Sequence, residues 1–179
     1  SSPFTQMIQL THDSHAPFDY FGRSLDSHHD VIAVGATGAK NNGQISGTAY
    51  IIEGATGDVL GIVPNPTPTS GERFSDSVSF SPDNKYLLIG NSKGKHETVF
   101  VSSGQVSLYN GVTLEHLTDI ENPDPNTGDE FGISVHSIIR DDGTTLFVMG
   151  APSDDSHGNA FGFAENTIFP YNDIPIAFA

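Results

Sequence analysis

A ten-residue segment occurs twice in this chain, and the second copy lies 57 positions after the first. The copies, Asn65–Phe74 and Asn122–Phe131, share an asparagine, two prolines, a glycine, an acid and the final phenylalanine. A degenerate third copy ends at Phe21 and keeps the acid, Asp19, but not the prolines. Self-similarity at a fixed period of about 50 residues predicts a repeat architecture in which every unit folds alike.

The same plan follows each of these phenylalanines. A first strand leads through a turn, at residues 26–30 in the first unit, into an apolar second strand that runs into a glycine, and a variable loop then leads to a third strand. The sequence places the second strands at Val31–Ala36, Tyr86–Asn91 and Leu146–Pro152. Apolar runs of this length, bounded by Gly, Pro, Asn and Asp, indicate β-strands. Four strands in about fifty residues favour propeller blades over a sandwich. The aromatic residues and glycines that mark the repeat are Phe21, Phe74, Phe131, Gly35, Gly90 and Gly150.

We therefore expect one all-β domain over residues 1–179, a β-propeller-like array of three four-stranded blades. The blade units are approximately 17–63, 64–121 and 122–179. The carboxyl end departs from the fourth-strand pattern, whereas residues 4–10 lie where the fourth strand of a preceding unit belongs. We expect strand 4–10 to complete the last blade.

Three blades are too few for a closed propeller, which needs about four to eight. Three alone leave open sheet faces and edges that a soluble protein ordinarily covers. We therefore expect the chain to associate with itself, two copies forming a six-bladed ring. A fragment of a longer chain is the alternative.

The net charge limits the classes of partner that the chain is expected to bind. The chain carries 22 Asp and Glu against 7 Lys and Arg, a formal net charge of -15. Such a surface is repelled by nucleic acid and by anionic membranes, and it favours cations, neutral sugars or basic protein patches. Alternatively, the excess of acidic residues serves only to keep the protein soluble in salty surroundings. Absence of cysteine excludes disulfides, thiolate metal sites and thiol catalysis, and no apolar stretch approaches the ~18 residues of a membrane helix.

The three units resemble FG-GAP repeats, the blades of integrin alpha-chain propellers and of many bacterial secreted proteins. The third unit matches best, through Phe131-Gly132, Ser134, Asp142-Gly143, Leu146, Gly150-Ala151-Pro152, Gly158 and Phe163. The first unit keeps Phe21-Gly22, Ser24 and Val34-Gly35-Ala36, and the second departs at Ser75 and at Gly90-Asn91-Ser92. The resemblance implies ligand binding or adhesion outside the cytoplasm, in a protein that is secreted, periplasmic or on the cell surface.

The resemblance also implies calcium, which blades of this kind hold with carboxylates between their first two strands. The candidate ligands are Asp26, Asp30, Asp141 and Asp142, with Asp154 and Asp155 in the third variable loop. None of these loops has the full set of alternating carboxylates. Tight turns require the same residue types, so a turn role is the favoured interpretation.

Histidines cluster in the first unit, where His12, His15, His28 and His29 lie near Asp13, Asp26 and Asp30. Imidazole and carboxylate together can hold Zn or Cu, but these segments flank opposite ends of one strand. Solvated loop histidines are therefore expected. Three further sets of residues recur at fixed positions and point to architecture: the phenylalanines as core, the acids Asp19, Glu72 and Asp129 as caps, and Ser24, Ser77 and Ser134.

The function expected from these features is a non-catalytic binding module that recognises a glycan or a protein ligand. Recognition on repeated scaffolds usually sits in loops that differ between repeats. Here those loops are 38–43, 91–103 and 153–157. The alternatives are a self-assembling structural protein and a hydrolase with a site on the propeller axis. No nucleophile elbow Gly-x-Ser-x-Gly is present.

Overall fold

The computed structural model describes residues 8–12, 16–94, 102–154 and 157–168. In this part of the chain nearly all regular structure is β-strand. The elements are β1 (Phe21–His28), β2 (Val31–Ala36), β3 (Lys40–Asn41), β4 (Gln44–Ile45), β5 (Thr48–Glu53), β6 (Val59–Pro64), β7 (Phe74–Phe80), β8 (Tyr86–Asn91), β9 (Gln105–Asn110), β10 (His116–Glu121), β11 (Ser134–Ile139), β12 (Thr145–Ala151), β13 (Asn159–Ala164) and α1 (Glu165–Ile168).

The strands form three successive antiparallel sheets. Blade 1 has the order β1-β2-β5-β6, blade 2 the order β7-β8-β9-β10, and blade 3 the order β11-β12-β13. Each sheet is a meander in which neighbours in sequence pair with each other, apart from the small β3–β4 hairpin inserted in blade 1. The predicted all-β, propeller-like fold is confirmed. No helix in the described residues is long and apolar enough to cross a membrane.

Two local features differ from the sequence prediction. The segment 26–30 was expected to be a turn, but β1 continues to His28 and only His29 and Asp30 form the turn. Pairing with β2 reaches His28 opposite Val31, so the backbone groups of this segment are satisfied within the sheet. The β3–β4 hairpin was also not predicted, because strands of two residues carry no periodicity.

The blades stack face to face, and the core lies between them. All seven residues of β7 are buried, because β7 lies against β1 and β2 on one side and β11 on the other. The core between blades 1 and 2 contains Ala33, Ala49, Ile51, Val63, Phe74, Val78, Phe80, Leu87, Ile89 and Tyr109. The core between blades 2 and 3 contains Tyr86, Leu88, Val106, Leu108, Ile120, Phe131, Phe147, Met149 and Ala151.

Within the described residues, the array is open at both ends. Leu25 of β1 is 61% exposed, whereas Val78, at the same position in β7, is only 7% exposed. Blade 3 has three strands in the described part of the chain, and α1 follows them. Within α1, Glu165 accepts a hydrogen bond from the Tyr86 hydroxyl at 2.7 Å, which ties the end of blade 3 to blade 2.

The segment predicted to be strand 4–10 lies partly outside the described residues, which begin at residue 8. Residues 8–10 belong to no strand, and Leu10 packs against Val34, Tyr50 and Ile52 on the outer face of blade 1. Leu10 therefore packs against blade 1 in the same way as Val63 of blade 1 packs against blade 2. Pairing of this segment with the last blade stays a prediction.

Candidate functional site

The strand directions place all the variable loops at one end of the blades, which we call the loop face. The first and third strands of each blade begin there, and the second strand ends there. The segments that connect one blade to the next, such as 65–73, lie at the same end. In the described residues, the opposite end carries short turns and the helix α1, and we call it the turn face.

A buried carboxylate braces each connection between blades at the loop face. Glu72 accepts a hydrogen bond from Asn65 Nδ2 at 2.6 Å, and Asp129 accepts one from Asn122 Nδ2 at 2.9 Å. Each also accepts from a backbone N–H three residues upstream, which belongs to Thr69 (3.1 Å) or Asn126 (2.6 Å). The recurring acid thus closes its own loop, because a carboxylate that accepts several hydrogen bonds fixes the groups around it.

Asp19 does the same in the degenerate copy, with a histidine in place of the asparagine. Its Oδ2 accepts from His12 Nε2 at 3.1 Å and from the Ala16 N–H at 3.0 Å. Burial acts to raise the pKa of Asp19, but hydrogen bonds from Ala16, Phe21 and His12 outweigh it and the pKa lies below its usual value.

His12 is buried, and its ring stacks on Tyr50 with centroids 4.2 Å apart. The expectation of solvated loop histidines is therefore wrong for His12. The spacing of seven residues to the acid, shared with Asn65 and Asn122, was the signal in the sequence that pointed to this role.

The recurring serines join neighbouring blades. Ser24 Oγ donates to the Ser75 carbonyl at 2.8 Å, and Ser77 Oγ donates to the Gly132 carbonyl at 2.7 Å. The glycine on the next strand leaves room for this contact, since a Cβ at Gly90 would lie 1.9 Å from the Gly132 oxygen. We call this arrangement of serine, glycine and carbonyl the blade joint.

The recurring phenylalanines belong to the same contact region. The Phe74 N–H donates to the Ser46 carbonyl at 3.0 Å, and the Phe131 N–H donates to the Ser103 carbonyl at 3.1 Å. Both rings are fully buried. These residues hold neighbouring blades together.

Two aromatic side chains that do not recur are exposed on the loop face. Phe18 is 79% exposed and has a φ of 68°, while Tyr20 is 61% exposed with a φ of 57°. The other two repeats have glycine, Gly71 and Gly128, at the position of Phe18. A bulky residue in the left-handed region costs of order 1–3 kcal/mol, and such residues concentrate at functional sites.

Phe18 borders a cavity of about 530 Å³, a volume within the range of small-molecule sites. Its lining is mainly apolar, with one lysine and one carboxylate: Ala16, Pro17, Phe18, Asp19, Gly38, Ala39, Lys40, Ile45 and Tyr50. Tyr20 borders a smaller cavity of about 240 Å³ with Arg23, Thr37 and Arg73. Arg23 also pairs with Asp76 of blade 2, at 2.8 Å. The sequence patterns singled out Asp19 and the loop 38–43, but not Phe18, Tyr20, Arg23 or Arg73.

Most of the calcium candidates act in turns or strands. Asp142 is exposed and accepts from the Thr144 hydroxyl and, at 3.0 Å, from its N–H; these bonds lower the pKa of Asp142. Asp26 accepts from the Phe80 N–H at 2.7 Å, across the contact between blades. Asp30 and Asp141 are exposed at the turn face.

Asp154 differs, because it is 1% exposed and lies at the loop face. Its Oδ2 accepts from Asn159 Nδ2 at 2.8 Å, and its Oδ1 has no hydrogen-bond partner among the residues that the structure describes. Asp155, Asp13 and His15 lie outside the described residues. His28 and His29 contact each other edge to face at the turn face.

The described residues contain no group of three or more potential metal ligands. Calcium binding stays a prediction, which melting with and without chelator tests.

Comparison with known proteins finds a family match for part of the chain. The family model described as FG-GAP repeat matches residues 4–52. No curated protein matches the sequence. A similar solved structure is the β-propeller domain of Cps50 (Swd1) from Myceliophteria thermophila, at 11% identity and a TM-score of 0.47. The alignment covers 80% of this chain and 38% of that one, so the chain spans less than half of that domain. Residues 4–52 match the FG-GAP repeat, and this match includes the first three strands of blade 1 in the described array of three propeller-like blades.

Proposed function

We propose that this chain is a non-catalytic binding module, secreted or on the cell surface, whose loop face recognises a glycan. The observation that carries the proposal is the pair of exposed aromatic side chains, Phe18 and Tyr20, held beside two cavities. Both residues adopt left-handed backbone conformations, which cost stability for side chains of this size. Residues in such strained backbone conformations concentrate at functional sites, which supports a role of these side chains in binding.

The chemistry of this surface suits a sugar. An aromatic ring offers a flat apolar face to the C–H bonds of a pyranose, and Tyr20 adds a hydroxyl that donates and accepts hydrogen bonds. Lys40 and Arg73 border the two cavities and supply donors for sugar hydroxyls or carboxylates. Loops that differ on a repeated frame are where such specificity usually lies.

A glycan array that includes neutral and acidic sugars tests the proposal, followed by calorimetric titration of the strongest hit. We expect Phe18→Ala to weaken binding by roughly tenfold to a hundredfold, which corresponds to about 1–3 kcal/mol. Val112→Ala is the matched control, because Val112 is 69% exposed but lies at the turn face. Equal effects of the two substitutions would contradict the assignment of the site.

A protein ligand is the second candidate for the same surface. Exposed aromatic and arginine side chains also anchor protein interfaces, and Arg73 stands beside Tyr20 in the smaller cavity. An array without hits, together with capture of a protein that Phe18→Ala abolishes, would favour this candidate. If both measurements fail, the loop face is not a binding site.

A further inference from the structure

We propose that the smaller cavity of the loop face binds an oxyanion, so that the glycan recognised there is acidic and carries a carboxylate or a sulfate group. Tyr20, Arg23, Thr37 and Arg73 border this cavity, which we call the arginine cavity. This assignment rests on the proposed function and narrows it, because it names the class of glycan that the same surface takes.

Positive charge is scarce in this chain, and two of its three arginines border one cavity. The sequence has 7 Lys and Arg against 22 Asp and Glu, and the arginines are Arg23, Arg73 and Arg140. Arg23 belongs to β1 of blade 1, whereas Arg73 directly precedes β7 of blade 2. The fold therefore brings together two like charges that lie 50 positions apart in the sequence. An anion between them would offset their repulsion.

The two arginines do not recur, unlike the residues of the blade joint. At the contact between blades 2 and 3, Asp76 takes the position of Arg23. Glu130 takes the position of Arg73 there, and it pairs with Lys93. A contact between blades thus forms without arginine at these positions. A requirement of the blade frame does not explain the two arginines, which favours a role in binding.

A buried carboxylate holds the guanidinium group of Arg23 in place. Arg23 Nε donates to Asp76 Oδ1 at 2.8 Å, and the side chain of Asp76 has no exposure to solvent. The other carboxylate oxygen of Asp76 accepts from the Ser92 hydroxyl, so both oxygens have partners inside the protein. The Arg23 side chain is 48% exposed. Its pair with Asp76 uses Nε and leaves the terminal nitrogens to donate to an oxyanion.

Arg73 supplies a charge that no acid of the described residues neutralises. Its backbone N–H donates to Asn91 Oδ1 at 3.2 Å, but its side chain forms no ion pair in the part of the chain that the structure describes. The acid next to it, Glu72, is buried and accepts from Asn65 within its own loop. The exposed Arg73 side chain is therefore available to a ligand.

The arginine cavity adjoins the larger cavity beside Phe18. Thr37 borders the first cavity and Gly38 the second. A Cβ at Gly38 would lie 1.9 Å from the Phe18 carbonyl oxygen and 2.9 Å from the Tyr20 ring, so both aromatic residues lie against this glycine.

The size of the arginine cavity suits one charged substituent of a sugar. Its volume of about 240 Å³ lies below the ~300–1,000 Å³ of sites that hold whole small molecules. We therefore place the sugar ring against Phe18 and its acidic group between the two arginines. Carboxylate and sulfate both offer the paired oxygens that guanidinium groups bind through two N–H donors.

A glycan array of matched sets tests the proposal on the full chain. Each set contains one oligosaccharide that ends in a neutral sugar, in the corresponding uronic acid, or in the 6-sulfate of the neutral sugar. We expect an acidic member to bind at least about tenfold more tightly than its neutral partner, because hydrogen bonds to charged groups are the stronger ones. Raising the ionic strength should reduce this preference, since partly exposed charges are screened by salt.

Arg73→Gln tests the cavity itself, because glutamine keeps N–H donors and removes the charge. The ratio of the affinities for the acidic and the neutral member of the strongest set should fall by about threefold or more, measured by calorimetric titration. Arg140→Gln is the matched control. It makes the same change of charge at an exposed arginine of the turn face and should leave the ratio unchanged. Phe18→Ala should weaken both members by a similar factor.

The outcomes separate this proposal from the glycan proposal. Equal binding of acidic and neutral members would overturn the oxyanion site and leave glycan recognition standing. A preference that Arg73→Gln and Arg140→Gln reduce alike would do the same. An array without hits would overturn glycan recognition, and the oxyanion site with it. An acidic preference that depends on Arg73 but not on Phe18 would uphold the oxyanion site and contradict the placement of the sugar ring.

Discussion

His12 shows how a single residue can keep a structural role while changing its chemistry. It replaces the asparagine of the other two repeats, donates to Asp19 and stacks on Tyr50. His12→Asn should keep the hydrogen bond and lose the stacking, whereas His12→Ala should lose both. We expect His12→Ala to lower the free energy of unfolding by about 1–3 kcal/mol and His12→Asn to cost less, measured by urea denaturation.

The same pair predicts a dependence on pH. The pKa of Asp19 is lowered in the folded chain, so its contribution to stability is fully present above its ordinary value of 3.8 and is lost as the pH falls below it. His12→Ala removes one of the groups that lower this pKa. Its acid unfolding midpoint should therefore lie at higher pH than that of the wild type. A midpoint unchanged by the substitution would contradict this role for His12.

Substitution of Phe18 should affect stability and ligand binding in opposite directions. Phe18→Gly places at this position the residue that both other repeats use, and glycine adopts a positive φ without steric cost. We expect the free energy of unfolding to rise by about 1 kcal/mol while ligand binding is lost. A loss of stability would show that Phe18 is retained for packing. The same substitution at the well-packed Phe131 serves as the contrast and should destabilise the chain.

At the scale of elements, the blade joint accounts for most of the recurring residues. Ser77→Ala removes the hydrogen bond to the Gly132 carbonyl and leaves a buried acceptor unsatisfied, at a cost of about 1–3 kcal/mol. Ser134→Ala is the control at an exposed site, where substitutions usually change stability by less than ~0.5 kcal/mol. Thermal melting measures the stability of both variants. Equal shifts would contradict the assignment of the joint.

The strands that carry the repeat were predictable, because apolar runs bounded by turn residues recurred three times in register. β2 and β8 begin and end where the sequence places them. The β3–β4 hairpin and the continuation of β1 to His28 were not predictable, since both depend on pairing rather than on a local pattern. The serines were recognised as architectural, but their partners in the next blade depend on tertiary packing.

At the scale of the whole molecule, the sequence predicted a β-propeller-like array of three four-stranded blades, and the described residues form three successive blades, the third with three strands. The sequence alone could not locate the candidate site, because Phe18 and Tyr20 stand out only when their exposure and backbone conformation are known. Except for Asp155, which lies outside the described residues, the carboxylates singled out as calcium ligands are distributed over the turn face, the contact between blades and the loop face. Residue type alone did not distinguish these locations.

The central claim is that recurring residues join the blades while the parts of the loop face that do not repeat bind the ligand. An NMR titration of the full chain with the strongest array hit tests it most directly. We predict chemical-shift changes concentrated in residues 16–20 and 37–45, with little change at the turn-face segments 54–58 and 111–115. Shifts confined to the turn face, or spread evenly over the blade joints, would contradict the claim.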